Sequence, residues 1–300
     1  MSERTVARAF RGIKTMDGAG VRLTRIFGFG DTAALDPFLL LDNFGSDVAD
    51  EYLAGFPWHP HRGIDTVTYM LEGRVRHGDS IGNSGSIEAG DLQWMTAGSG
   101  IIHEEMPQLS PRGVHGFQLW VNLSKAEKMR EPAYRGIGAS EVKRLPVDGG
   151  EAIVLAGELG GTRGPVSGVS RDPAYFDLRL GPGGKIEIPA PDGDTAFAYV
   201  YLGSLVCPCE PLVYAGHMKS STDAAAPEPR PKTQSGTCLL FGPGDRVLFE
   251  AGSTGASFIF ARGRPLHEPI AWGGPIVMNT RAELELAFRE YQEGSFIKKS

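Results

Sequence analysis

The stretch His59-Pro60-His61-Arg62-Gly63-Ile64-Asp65-Thr66-Val67-Thr68-Tyr69-Met70-Leu71 decides how this chain is read. It opens with two imidazoles one residue apart and runs into a β-branched and aromatic segment that stops at Glu72-Gly73. Residues two apart on a β-strand share a face, so His59 and His61 are expected to point the same way. Pro60 stiffens the backbone and cannot donate to a ladder, which suits a strand edge or entry. A second pair with the same spacing follows in His103-Glu104-Glu105. Two neighbouring strands of this kind can aim His59, His61, His103 and Glu105 at one point. Three neutral imidazoles and a carboxylate make a mixed nitrogen–oxygen set for a divalent transition metal, with positions left for water or substrate. A lone buried histidine is more often a hydrogen-bonded core residue, but two pairs at strand spacing favour the metal.

Working outward, strand-sized units dominate. Residues 21–27 alternate and end at a glycine cluster, and Gly90-Asp91 opens another apolar run at 92–95. Residues 114–123 alternate, with Phe117, Leu119 and Val121 on one side and Gln118 and Trp120 on the other. His77-Gly78-Asp79 reads as turn chemistry, with His77 exposed on a hairpin. Further units recur at 152–155, 175–180, 195–202, 238–241, 247–249 and 256–261, punctuated by Gly181-Pro182-Gly183-Gly184 and Gly242-Pro243-Gly244-Asp245. Gly90-Asp91 and Gly244-Asp245 precede similar strands, a hint of internal duplication. Two capping boxes predict helices, Ser124 with Glu127 and Thr280 with Glu283. Pro132 limits the first to a couple of turns. The second continues with Leu284, Ala287, Phe288 and Tyr291 at helical spacing and stops at Gly294.

Composition agrees. The 300 residues suit two domains or one large one, and 41 Gly and 21 Pro between short apolar runs indicate an all-β protein. A formal net charge of -6, with no basic block beyond the tail pair Lys298-Lys299, argues against direct nucleic-acid binding. No secretory signal and no membrane-length apolar run is legible. Three cysteines, Cys207, Cys209 and Cys238, fit a reducing cytoplasm. Cys207-Pro208-Cys209 lacks a second pair and reads as ordinary thiols, and His217 nearby adds no convincing site. Residues 219–236, with Pro227, Pro229 and Pro231, read as a mobile surface loop.

Residues 59–67, 90–98 and 100–107 resemble the signature segments of the pirin family, and residues 118–123 and 265–275 resemble its downstream segments. The resemblance implies a bicupin: two cupin β-barrels with a short C-terminal helix. The expected domains are 1–140, metal-binding, and 141–300, metal-free and ending in the helix. It implies one divalent transition metal, Fe2+ first with Mn, Co, Ni, Cu or Zn also accepted, held by His59, His61, His103 and Glu105. The second half has no His-x-His; Ala196-Phe197-Ala198-Tyr199 stands on the equivalent strand. Asp65 departs from the family's Glu; by strand parity with His59 and His61 it is expected to face inward and hold a ligand imidazole in one tautomer. Inward-facing Gln118 is expected to support the site, Trp94, Met95, Phe117 and Trp120 to line the cavity or fill the core, and His115 to be structural. The 219–236 stretch is longer than the family's usual hairpin.

The resemblance further implies a quercetin 2,3-dioxygenase type of activity on a small aromatic substrate with O2. In that reaction Glu105 accepts the flavonol hydroxyl proton, the ring opens and carbon monoxide leaves. The alternative it implies is a metal- and redox-responsive regulator that binds a transcription factor or metabolic enzyme.

Overall fold

The computed structural model describes residues 2–206 and 232–298. Over these residues contacts divide the chain into two units. The first comprises Gly12–Val142, Pro165–Asp172 and Arg264–Ser300; the second comprises Met1–Arg11, Lys143–Gly164 and Pro173–Gly263. Both are built from antiparallel strands, as the alternating runs and glycine-rich turns predict. A single cut near residue 140 does not describe this division. Strand Val6–Arg11 pairs with Thr237–Phe241 of the second unit, and the C-terminal helix belongs to the first.

In the first unit a seven-stranded sheet runs in the order Ala133–Ile137, Leu92–Thr96, Ile64–Glu72, Val114–Asn122, Phe38–Ser46, Val21–Phe27, Ile13–Asp17. A four-stranded sheet runs Phe56–His61, Ile101–Pro107, Arg74–Asp79, Ser84–Glu88. Two buried apolar clusters join them. One contains Leu23, Phe44, Met70, Val75 and Ile87, the other Leu39, Ile64, Met95, Ile101 and Val277. Along Ile64–Glu72 the inward positions between Ile64 and Met70 are Thr66 and Thr68, and along Ile101–Pro107 Ile101 is followed inward by His103 and Glu105. The sequence therefore leaves a polar band between two apolar ones, and that band is the site.

The segment after residue 264 completes this unit. Ala271–Gly273 and Ile276–Met278 form a small hairpin, and helix Arg281–Gln292 follows. The Thr280 capping box forms as predicted: Glu283 N donates to Thr280 Oγ1 at 3.2 Å, and Thr280 N donates to Glu283 Oε2 at 2.8 Å. Gly294 takes φ +74° at the stop. The Ser124 box forms no helix, only turns. There the Glu127 carboxylate accepts from the Ser124 and Ser170 hydroxyls, and Lys128 is buried. The Lys128 ammonium donates to Gly63 O, Asn122 Oδ1 and Val277 O at 2.7–2.9 Å, so tertiary bonds replace the helical turn.

The second unit has a seven-stranded sheet in the order Val6–Arg11, Thr237–Phe241, Thr195–Val206, Arg246–Gly263, Ala174–Pro189, Lys143–Ala156, with Lys232–Gln234 beside Thr195–Val206, and a small hairpin of Glu158–Leu159 with Thr162–Arg163. Its interior is apolar: Ala196, Ala198 and Val200 meet Phe176, Phe249, Phe258 and Phe260. Each buried Val or Phe among them contributes about 1.5–3 kcal/mol. The position expected of a second His-x-His is thus filled by small aliphatic residues under stacked phenyl rings. Cys207, Cys209, His217 and residues 219–231 lie outside the described residues; Cys238 is buried. Among the described residues no helix is long and apolar enough to cross a membrane.

Candidate metal centre

Backbone register brings the two histidine pairs together. Phe56–His61 is the edge strand of its sheet, as Pro60 predicts, and it pairs with Ile101–Pro107. His103 lies opposite His59 and Ile101 opposite His61. Opposed residues of an antiparallel pair project from one face, so His59, His61 and His103 converge. Ring centroids are 4.8 Å apart for His59 and His61, 4.4 Å for His59 and His103, and 5.1 Å for His61 and His103. One nitrogen from each ring lies within 4.8 Å of the others.

Two backbone carbonyls set the tautomers. His59 Nδ1 donates to Pro57 O at 2.8 Å and His61 Nδ1 donates to Pro275 O at 3.0 Å. A carbonyl only accepts, so in the neutral rings both Nε2 atoms carry lone pairs. Those two atoms face each other at 3.1 Å. Burial, reinforced by the neighbouring His59, pushes His61 down to about 3, against the pull of the Pro275 carbonyl. Burial holds His103 well below its ordinary value, and both its nitrogens are buried without a hydrogen-bond partner among the described residues. Neutral rings with lone pairs turned on one point repel and leave desolvated acceptors unsatisfied, at about 1–3 kcal/mol each. A transition cation relieves all of these together, so the residues present fit a divalent metal.

Glu105 follows His103 across a β-bulge and is buried. Its carboxylate lies in a second close group with His103 and His77, not in the one with His59 and His61. Of the four expected ligands the structure gathers three rings tightly, and Glu105 joins them through His103. Oε1 of Glu105 accepts from Thr68 Oγ1 at 3.0 Å and Gln93 Nε2 at 2.9 Å, and Oε2 accepts from Gln118 Nε2 at 2.9 Å. Trp120 Nε1 donates to Gln118 Oε1 at 3.2 Å, which fixes the amide's orientation. Gln118 therefore supports Glu105 directly.

Asp65 does not hold an imidazole. Gly63 at φ +78° breaks the strand after His61, so the alternation restarts at Ile64. Thr66 and Thr68 then face inward and Asp65 faces the other way, where it accepts from Trp94 Nε1 at 2.9 Å. Burial pushes its carboxyl up to about 6, against the hydrogen bonds from Trp94 and Thr96. Trp94 goes with it to that face. Trp120 lines the cavity, edge-on to His61 at 5.0 Å, while Met95 packs in the apolar cluster beside Trp120 and Phe117 is core. His115 pairs with Asp47 at 2.8 Å, away from the site.

His77 is not exposed on a hairpin but fully buried. It lies in strand Arg74–Asp79, opposite Glu105, and stacks on Tyr134 at 4.6 Å. The parity of Val75, His77 and Asp79 was a signal for this; the turn-like His-Gly-Asp motif masked it. Thr68 and Gln93 were legible by the same parity. The Pro57 and Pro275 carbonyls had no sequence signal.

The His59–His61 edge opens into a cavity of about 670 Å³, walled by Phe29, Phe56, Trp120 and Trp272. Its polar lining includes Gln118 and the pair Arg25–Asp42, in which Nε and Nη2 donate to the two carboxylate oxygens at 3.0 and 2.8 Å. Arg25 also donates to Asp17 at 2.7 Å. The volume and the mix of aromatic walls with few polar groups are those of a small-molecule site.

Two cupin barrels, one with a histidine cluster inside, define a bicupin. Residues 20–121 match the Pirin family model and residues 175–297 match the Pirin C-terminal cupin domain. The chain belongs to the pirin family. It is 44% identical over 296 residues to a Pseudomonas aeruginosa protein provisionally named a quercetin 2,3-dioxygenase, covering 97% of each chain. It is 38% identical to human pirin over 294 residues, covering 97% of this chain and 93% of that one. A crystal structure of quercetin 2,3-dioxygenase from Acinetobacter baumannii superposes with a TM-score of 0.83 at 30% identity, over 98% of this chain and 99% of that one.

Proposed function

We propose that this protein is a metal-dependent dioxygenase that cleaves quercetin or a related flavonol with O2. The observation that carries the reading is the convergence of the His59, His61 and His103 nitrogens, with Glu105 behind them, at the floor of an aromatic-walled cavity. His59, His61, His103 and Glu105 would hold the ion, iron first among the divalent transition metals. When bound, such an ion supplies a Lewis acid and a template for substrate and O2 at the positions the protein leaves open.

The chain's own residues do the rest. Glu105 takes the proton of the flavonol 3-hydroxyl, leaving the flavonolate that reacts with O2. Thr68, Gln93 and Gln118 keep that carboxylate fixed, so no reorganisation is needed as the proton moves. Trp120, Trp272 and Phe29 offer aromatic faces to a flat polycyclic substrate and exclude water from the reacting ring. The Acinetobacter relative, named for this activity, supports the same reading.

Purified protein loaded with metal should consume quercetin and O2 in equal amounts, followed by flavonol absorbance and an oxygen electrode. Absence of turnover with Fe, Mn, Co, Ni and Cu forms alike rejects the assignment. A partner protein retained by only the ferrous or only the ferric form, without turnover, would instead establish the regulatory alternative.

A further inference from the structure

We propose that His77, His103 and Glu105 form a second, inner position for a divalent transition metal, sharing His103 and Glu105 with the outer one. The inference deepens the reading above, since it shares two of the residues assigned there. It starts from Asp79, whose side chain is fully buried. Asp79 Oδ1 accepts from Ile81 N at 3.0 Å and Asn83 N at 2.9 Å, and Oδ2 accepts from Asn83 Nδ2 at 2.9 Å. The remaining contact of Oδ2, with His77 Nε2 at 3.1 Å, thus has the ring as donor.

With the proton on Nε2, the neutral ring keeps its lone pair on Nδ1. That atom is buried and has no hydrogen-bond partner among the described residues. A carboxylate that fixes an imidazole tautomer and leaves the other nitrogen bare is the arrangement that readies a histidine for a metal. Tyr134 stacks on the ring at 17° and holds its plane. The ring offers a ligand atom within 4.8 Å of those of His103 and Glu105. The cause is again register: on the edge of Ile101–Pro107 away from the His59 strand, His77 lies opposite Glu105 and Asp79 opposite His103.

The Glu105 carboxylate groups closely with His77 and His103 and not with His59 and His61, so the inner position has the nearer negative charge. It can keep an ion on the protein when an outer imidazole yields to substrate. The functional ligand set is then five side chains, not four.

The test is titration with Co2+, read by visible absorption and elemental analysis, in a Cys207→Ser/Cys209→Ser background that removes sulfur ligands. The His59→Ala/His61→Ala variant should bind one equivalent of Co2+, more weakly than the parent, and adding His77→Gln should abolish that binding. A folded double variant that takes up no Co2+ while the parent does overturns the inner position and leaves the outer reading intact. Residual binding that survives His77→Gln also overturns it. If the double variant does not fold, His77→Gln alone decides: a roughly tenfold weaker Co2+ affinity with an altered spectrum supports the proposal, and an unchanged affinity and spectrum overturn it. Failure of the parent itself to bind any metal overturns the outer reading too.

Discussion

The Nε2 atoms of His59 and His61 face each other at 3.1 Å while both Nδ1 atoms are committed to backbone carbonyls. Neutral rings so arranged cannot hydrogen-bond to one another. The geometry is explicable as a donor set held open for a cation, and the predictions below test it.

His103→Ala should lose the ion with little change in fold. The imidazole makes no hydrogen bond among the described residues, so its removal costs the barrel only a small void. Metal affinity should fall by more than the roughly 10–100-fold typical of losing a supporting residue. Elemental analysis and circular dichroism measure both, and full metal stoichiometry in the variant would mean the ligand assignment is wrong.

Glu105→Gln should lower turnover by about 100-fold or more, the usual contribution of a positioned base. The amide also sets a donor among the donors of Thr68, Gln93 and Gln118. Steady-state kinetics on metal-loaded protein would check this; unchanged kcat would remove Glu105 from the proton step.

Asp65 gives a prediction in pH. Its folded-state value is raised to about 6 from an ordinary 3.8. Between these values the folded protein holds a proton that the unfolded chain has released. Its contribution to stability is therefore full below about pH 4 and is lost as pH rises through about 6. Asp65→Asn keeps the Trp94 contact without the buried charge. It should stabilise the protein at pH 7 by on the order of 2–3 kcal/mol and flatten the slope between pH 4 and 6. Urea unfolding at three pH values decides; a destabilised variant at pH 7 refutes the account.

Arg62→Ala should both destabilise the fold and loosen the site. Buried Arg62 donates to Glu290 at 2.7 Å and to Phe296 O at 2.9 Å, with its guanidinium over the Phe296 ring at 4.2 Å. Breaking one side of such a pair costs about 3 kcal/mol. Because Arg62 adjoins His61, metal affinity should fall as well. Denaturant midpoints and metal titration measure the two effects, and a loss of stability with unchanged affinity would uncouple them.

The parts of the site legible in the sequence were those set by strand parity and motif. His59, His61, His103 and Gln118 all face inward as their spacing requires. Parity failed where a positive-φ glycine interrupts it, at Gly63, and so Asp65 was read on the wrong face. At His77 a glycine and an aspartate inside a strand imitate a turn and mask the alternation. The Ser124 helix does not form, and buried Lys128 instead bonds Asn122 nearby and the distant carbonyls of Gly63 and Val277. The partition of the two units is not readable locally, since Val6–Arg11 pairs with Thr237–Phe241 from the far end of the chain.

The carbonyl of Pro275 carries a temporal consequence. Every histidine and the glutamate of the centre have left the ribosome once residue 105 has emerged. The group that orients His61 follows 214 positions after it. A nascent chain therefore possesses all its ligands long before it can align them. Acquisition of the ion in its final geometry must await synthesis of Pro275, which makes its hairpin the last component of a centre otherwise encoded near the start.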